Sequence, residues 1–137
     1  MANSKSIGVA FLDQDIIGAD YIYAAGEIGY SAAGQGTVTQ ATSKSTGVTL
    51  NKSAGQITMN NAALAAATNV TFTLTNSTLS AKDVLILNVS GAATSGAYNC
   101  WVSSMSAGSA TVTLRNITGG ALSEAVVINF AIIHGAP

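Results

Sequence analysis

From Thr37 onward the chain alternates between apolar and small polar positions with a period of two. Val70, Phe72 and Leu74 are interleaved with Thr71, Thr73 and Thr75, and Val112 and Leu114 with Thr111, Thr113 and Arg115. In an extended strand successive side chains face opposite ways, so this pattern predicts strands with one buried and one wet face. The same grammar predicts strands at Val38–Ala41, Val48–Asn51, Gln56–Met59, Asp83–Ser90, Ala97–Ser103 and Ala125–His134. Gly91, Gly96, Gly108, Gly119 and Gly120 fall between the later ones, where turns need them. Seven or eight short strands at regular spacing predict an all-β fold, a β-sandwich of jelly-roll-like form. Asn60–Ala67 breaks the pattern: an Asn N-cap followed by alanines and a leucine predicts about two turns of helix.

The last strand is apolar on both faces. Val126, Ile128, Phe130 and Ile132 form one row, and Val127, Ala131 and Ile133 share the other with Asn129. A strand of that kind is either central between covered layers or partly buried against another chain. A single sandwich leaves one sheet face to water, so Val127, Ala131 and Ile133 are expected at a subunit interface.

Residues 1–36 follow a different grammar. They carry Asp13, Asp15, Asp20 and Glu27, four of the six carboxylates, and three of the four tyrosines, Tyr21, Tyr23 and Tyr30. Neither strand nor helix period persists, and Ser31–Gly36 is small and glycine-containing, a flexible, hinge-like composition. The expected organisation is an extended N-terminal arm, 1–36, followed by a sandwich domain, 37–137.

Composition sharpens this picture. Apolar residues make up 48% of the 137, but charged residues only 8%, against roughly 25% in typical soluble proteins. Sparse charge near neutrality favours association. The net charge of −1 gives no footprint for nucleic acid. Mean hydropathy is positive, yet no run approaches the roughly 18 apolar residues of a spanning helix, so no membrane partner is expected. The apolar run before Asp13 is also shorter than a secretory h-region. The sequons at Asn51, Asn69, Asn76, Asn88 and Asn116 then read as by-products of an Asn/Thr-rich β composition.

Candidate chemistry is thin. In the β region the carboxylates are Asp83 and Glu124, at different strand starts, which suits solvated surface groups rather than an acid–base pair. His134 is the one histidine and Cys100 the one cysteine, so a nucleophile–base pair would have to use His134, with Cys100 as the available thiol. Cys100 shares a strand face with Tyr98 and Val102 and reads as a buried small hydrophobe. One His and one Cys do not make a zinc site, and no phosphate-cradling loop or serine elbow occurs. No catalytic residue, metal or cofactor is expected. Trp101, on the other face of its strand, suits core packing or subunit contact, with sugar stacking as a lesser alternative.

The segments Thr39–Ala65, Val70–Ser77 and Ile128–Gly135 give this reading a family context. Over about Gln40 to Ala136 the chain resembles small virion proteins of tailed bacteriophages, nearest to the head decoration, or cement, proteins. Related modules occur in tail-fibre and head-fibre proteins. The resemblance implies a jelly-roll-like sandwich forming a dimer or trimer on the outer surface of the capsid. There it would bind across major capsid protein subunits and carry no catalytic residues. In that setting Phe11, Leu12, Ile16, Ile17, Tyr21, Ile22 and Tyr23 are expected to contact the shell, because an acidic, aromatic, aperiodic arm has no evident core of its own. The rival expectation is a fibre module that binds a host surface receptor.

Overall fold

The computed structural model describes residues 20–135. Eight strands run in chain order: β1 Gln35–Thr39, β2 Val48–Thr49, β3 Ala54–Thr58, β4 Asn69–Thr75, β5 Val84–Gly91, β6 Tyr98–Ser106, β7 Ser109–Asn116 and β8 Val127–Ile133. They form two four-stranded sheets. The first has the order β1-β3-β8-β5 and the second β2-β4-β7-β6. Most pairs are antiparallel, but β1/β3 and β2/β4 are parallel. The protein is therefore an all-β sandwich with the strand count of a jelly roll and mixed rather than wholly antiparallel sheets. No helix of the described residues is long and apolar enough to cross a membrane.

Alternation explains the single core. From the first sheet, Ile57, Leu85, Ile128, Phe130 and Ile132 point inward; from the second, Val48, Phe72, Leu74, Val112 and Leu114 meet them. Burying each such side chain contributes roughly 1.5–3 kcal/mol. One approach is tighter than side chains allow. At Gly55, paired with Gly36 in register, a Cβ would lie 2.7 Å from the Gly36 carbonyl and 2.8 Å from Leu50 Cδ2. Leu50 packs over a strand pair that has to be bare there.

Two of the four edge strands, β5 and β6, are irregular. Register slips between Val89 and Gly91 on β5, and between Val102 and Ser104 on β6. Each slip is a β-bulge, which kinks and twists its strand.

The predicted helix does not form. Asn60–Ala67 contains only an isolated bridge, in which Leu64 and Leu122 exchange backbone hydrogen bonds of 2.9 and 3.0 Å. The Asn116 side chain donates to the carbonyls of Leu64 and Ala65 at 3.0 and 3.2 Å, and Ala67 adopts φ 54°. Two turns of helix are marginal on their own. Burying Leu64 and engaging its carbonyl offer the segment more.

Nor is Ser31–Gly36 a loose hinge. Ala32–Gly34 is a 3₁₀ turn, Lys52 Nζ donates to the Ala33 carbonyl at 2.8 Å, and β1 starts at Gln35. Before it, the Tyr30 hydroxyl donates to the Ile132 carbonyl, and Gln35 Nε2 donates to the Tyr30 carbonyl at 2.8 Å. These bonds fasten the root of the arm beside the end of β8.

Candidate interaction surfaces

The two carboxylates of the sandwich are not the solvated surface groups expected. Asp83 is buried at the turn before β5. Its Oδ2 accepts from the Ser80 N–H at 2.8 Å and faces His134 Nδ1 at 3.0 Å; its Oδ1 accepts from the Ser80 hydroxyl at 2.7 Å and the Gly135 N–H at 2.9 Å. The Ser80 amide and hydroxyl, ahead of Gly135 and His134, hold its pKa well below the usual carboxylate range. Because the Ser80 hydroxyl donates to Asp83 and not to His134, the trio clamps the end of β8 to a turn and does not arrange a nucleophile against a base. Cys100 is equally remote from it. Its thiol lies by the Val89 amide, five residues along β5 from Val84, or about 17 Å away. The cysteine is half-buried against the core, and burial raises its pKa, with the Val89 amide opposing.

Glu124 belongs to a second polar cluster, at the opposite end of the sandwich's connections. Its Oε1 accepts from Thr94 Oγ1 at 2.7 Å, and that contact foremost lowers its pKa. The Tyr98 hydroxyl is buried beside it, and burial, reinforced by the carboxylate, pushes the phenol up to about 12. Lys44, also buried, donates through Nζ to the carbonyls of Asn60 and Glu124. Burial lowers the Lys44 pKa, and the nearby Glu124 charge opposes that shift. Gln40 completes the brace: its Nε2 donates to the carbonyls of Lys44 and Thr46 at 3.0 and 2.8 Å, and its Oε1 accepts from the Asn60 N–H at 3.0 Å. Sequence reasoning passed over Gln40 and Lys44, since nothing in their spacing distinguishes them from surface residues.

Two sequons prove to be structural. Asn76 and Asn116 are fully buried. Each Oδ1 accepts both the N–H and the hydroxyl of the Thr two residues on: Thr78 at 3.0 and 2.8 Å, Thr118 at 2.9 and 2.8 Å. Their amides then donate away from the turn, Asn76 to the Lys52 carbonyl at 2.7 Å and Asn116 to Gly120 at 2.7 Å as well as to Leu64 and Ala65. The N-x-T spacing serves a turn that pins a neighbouring loop.

Two outer faces remain. On the second sheet, hydroxyls dominate. Thr71 Oγ1 and Thr113 Oγ1 are 3.1 Å apart, Ser104 Oγ donates to Thr111 Oγ1 at 2.9 Å, and Ser106 and Ser109 pair at 2.9 Å. Trp101, opposite Thr113, stands among them 39% exposed, so it is not core. On the first sheet, the polar half is built around Asn129, whose Oδ1 accepts from Gln56 Nε2 and Ser90 Oγ, both at 3.0 Å. The other half is apolar. Val84 faces Ile133 across the ladder and Ile86 faces Ala131, with Val84 and Ile133 each 57% exposed and Ile86 48%. Of the three interface residues expected from sequence, Ile133 is therefore open, while Val127 and Ala131 are half-buried. Alternation alone did not single out Val84 and Ile86, the cross-strand partners that turn Ile133 and Ala131 into a patch.

The arm supplies the third surface. Tyr21, Ile22, Tyr23 and Ile28 are all exposed, and the Tyr21 and Tyr23 rings stack with centroids 5.9 Å apart. Phe11, Leu12, Ile16 and Ile17 lie outside the described residues.

No family model, curated protein or solved structure matches this chain.

Proposed function

We propose that this protein is a structural subunit of a virion, decorating the outer surface of a bacteriophage capsid by binding across major capsid protein subunits. The observation that carries the reading is the arm. Tyr21, Ile22, Tyr23 and Ile28 extend from the sandwich without being covered by it. Apolar side chains placed that way gain free energy only when another surface removes them from water. The resemblance of Gln40–Ala136 to decoration proteins supplies the kind of surface. Low charge and an apolar outer strip agree with a molecule that works in contact with others.

The mechanism is stapling by buried area. A stable interface buries roughly 1,200–2,000 Å², and a homo-oligomer with several arms binds by avidity, so modest individual contacts become lasting. Deleting residues 1–30 should leave a folded sandwich by circular dichroism that no longer co-sediments with capsids; undiminished co-sedimentation would refute the role of the arm. Gel densitometry of virions sharpens the location: hundreds of copies fit a head protein, a few dozen or fewer a tail protein.

One observation favours a second reading, a fibre module that binds a host surface glycan. Trp101 is the exposed aromatic on a face otherwise built of Thr, Ser and Asn with Arg115, a composition suited to stacking and hydrogen-bonding a sugar ring. Binding to host polysaccharide that disappears in Trp101→Ala would favour it over decoration.

A further inference from the structure

We infer that the apolar strip on the first sheet is the docking site for a second copy of this chain, whose arm root, around Glu27 and Ile28, lies across it. The inference rests on the self-association contained in the proposed function and names the surfaces that carry it out.

The strip is a bounded patch, not a scatter of exposed residues. Val84 and Ile86 on β5 stand directly opposite Ile133 and Ala131 on β8, and the patch ends where Asn88 meets Asn129. Singly exposed apolar residues need no partner, but a contiguous cross-strand cluster marks a contact site. The arm leaves the sandwich next to this patch, because the Tyr30 hydroxyl is bonded to the carbonyl of Ile132, the residue before Ile133. Yet it does not cover the patch. Ile28, only two residues from that anchor, is 78% exposed, and the strip beside it is bare. Each copy thus displays an apolar segment and an apolar receptor side by side, neither covered by the other.

Charge points to the same pairing. Residues 1–36 hold Lys5 against Asp13, Asp15, Asp20 and Glu27, a net −3; the remainder holds Lys44, Lys52, Lys82 and Arg115 against Asp83 and Glu124, a net +2. Lys82 is exposed two residues before Val84, at the end of the strip. Among the described residues, the one salt bridge joins His134 and Asp83, so Lys82, Asp20 and Glu27 form none. An acidic arm and a basic body attract, and since the exposed stretch 20–29 does not lie on its own body, another copy's body is the complementary surface. Copies related by a rotation axis near the strip would each place Ile28 on a neighbour's Val84, Ile86 and Ile133. Such head-to-tail exchange closes into a small ring. It leaves the exposed Tyr21, Ile22 and Tyr23 for the shell.

The test uses the full chain, with light scattering on gel filtration. The wild type should run as a multiple of 13.7 kDa at on the order of 0.1 mM, a concentration at which even weak specific association registers. Ile133→Lys and Ile86→Lys, on exposed positions, should retain the wild-type circular dichroism and fall to one chain's mass. Lys82→Glu and Glu27→Lys should each raise the dissociation constant roughly threefold, and the double swap should bring it back. A monomeric wild type, an oligomer that tolerates Ile133→Lys, or a double swap weaker than either single change would overturn the inference. If the wild type is monomeric and Ile133→Lys abolishes capsid co-sedimentation, the strip belongs to the shell protein; the inference falls and decoration stands. An oligomer that depends on Ile133 but ignores capsids leaves the inference standing and removes decoration.

Discussion

The two sheets begin from the same alternation and end with opposite outer surfaces. On the second sheet the outward positions include Thr71, Thr73, Thr75, Thr111 and Thr113 beside Trp101 and Arg115, with hydroxyl pairs such as Ser104–Thr111 at 2.9 Å. On the first, half of the outward positions of β5 and β8 are Val84, Ile86, Ala131 and Ile133. The difference teaches how a chain with 8% charged residues keeps one face wet. Threonine satisfies strand preference with its branched carbon and water with its hydroxyl. Arg115 is the one charge on the strands of that face. Where the outward residues lose the hydroxyl but keep the branch, as in Val84 and Ile133, the strand is equally good and the face is left apolar and exposed.

That contrast depends on a rigid frame, so the strongest way to break it is to loosen the frame. Asn116→Ala should cost about 3 kcal/mol, since it removes a buried amide and strips partners from the carbonyls of Leu64, Ala65 and Gly120. Calorimetry should show Tm falling by about 10 °C; a shift within error would mean that the turn holds without its side chain. Acid is the next lever. Asp83 and Glu124 both have lowered pKa values in the fold. Their contribution is complete above the unfolded carboxylate pKa of about 4 and is lost as pH drops below it toward the folded values. The urea midpoint should therefore fall between pH 5 and pH 2, and Asp83→Asn should fall less over that interval. A parallel decline in the variant would remove the His134 clamp from the account.

Smaller effects sharpen the comparison. Ala67 is held at φ 54°, in the left-handed region that favours glycine, so Ala67→Gly should gain about 0.5 kcal/mol despite its looser unfolded chain. Smallest of all are paired exchanges across the two faces. Ile133→Thr and Thr73→Val should each change the stability of the isolated chain by within about 0.5 kcal/mol. The first should weaken self-association and the second should not, as light scattering would register. Equal effects would mean that the faces are interchangeable.

How much of this the sequence discloses varies with the range of the interaction. All eight strands can be read from it, because period-two alternation is local and the glycines between strands mark the turns. The sandwich follows from them. Asn60–Ala67 misleads because local propensity favours helix, while the deciding contacts, Leu122 and the Asn116 amide, lie more than fifty residues away. Asp83 and Glu124 mislead for the same reason: a carboxylate beside a turn looks solvated until the end of β8 folds over it or Thr94 reaches it. The buried sequons show the pattern in reverse, with Asn-x-Thr plain in the sequence and its meaning fixed only by which loop the amide reaches. Ile133 was visible as an outward apolar residue. Its patch was not, since pairing with Val84 depends on β8 lying beside β5.

The bulged rims at β5 and β6 have a consequence for edge-to-edge association. A straight, unpaired strand rim invites the rim of the next molecule, and a surface packed with many copies would then risk zipping into ribbons. The kinks at Val89–Gly91 and Val102–Ser104 spoil that invitation on β5 and β6. Edge-to-edge pairing through those two rims is thereby disfavoured, whereas β1 keeps an unbroken register along its length.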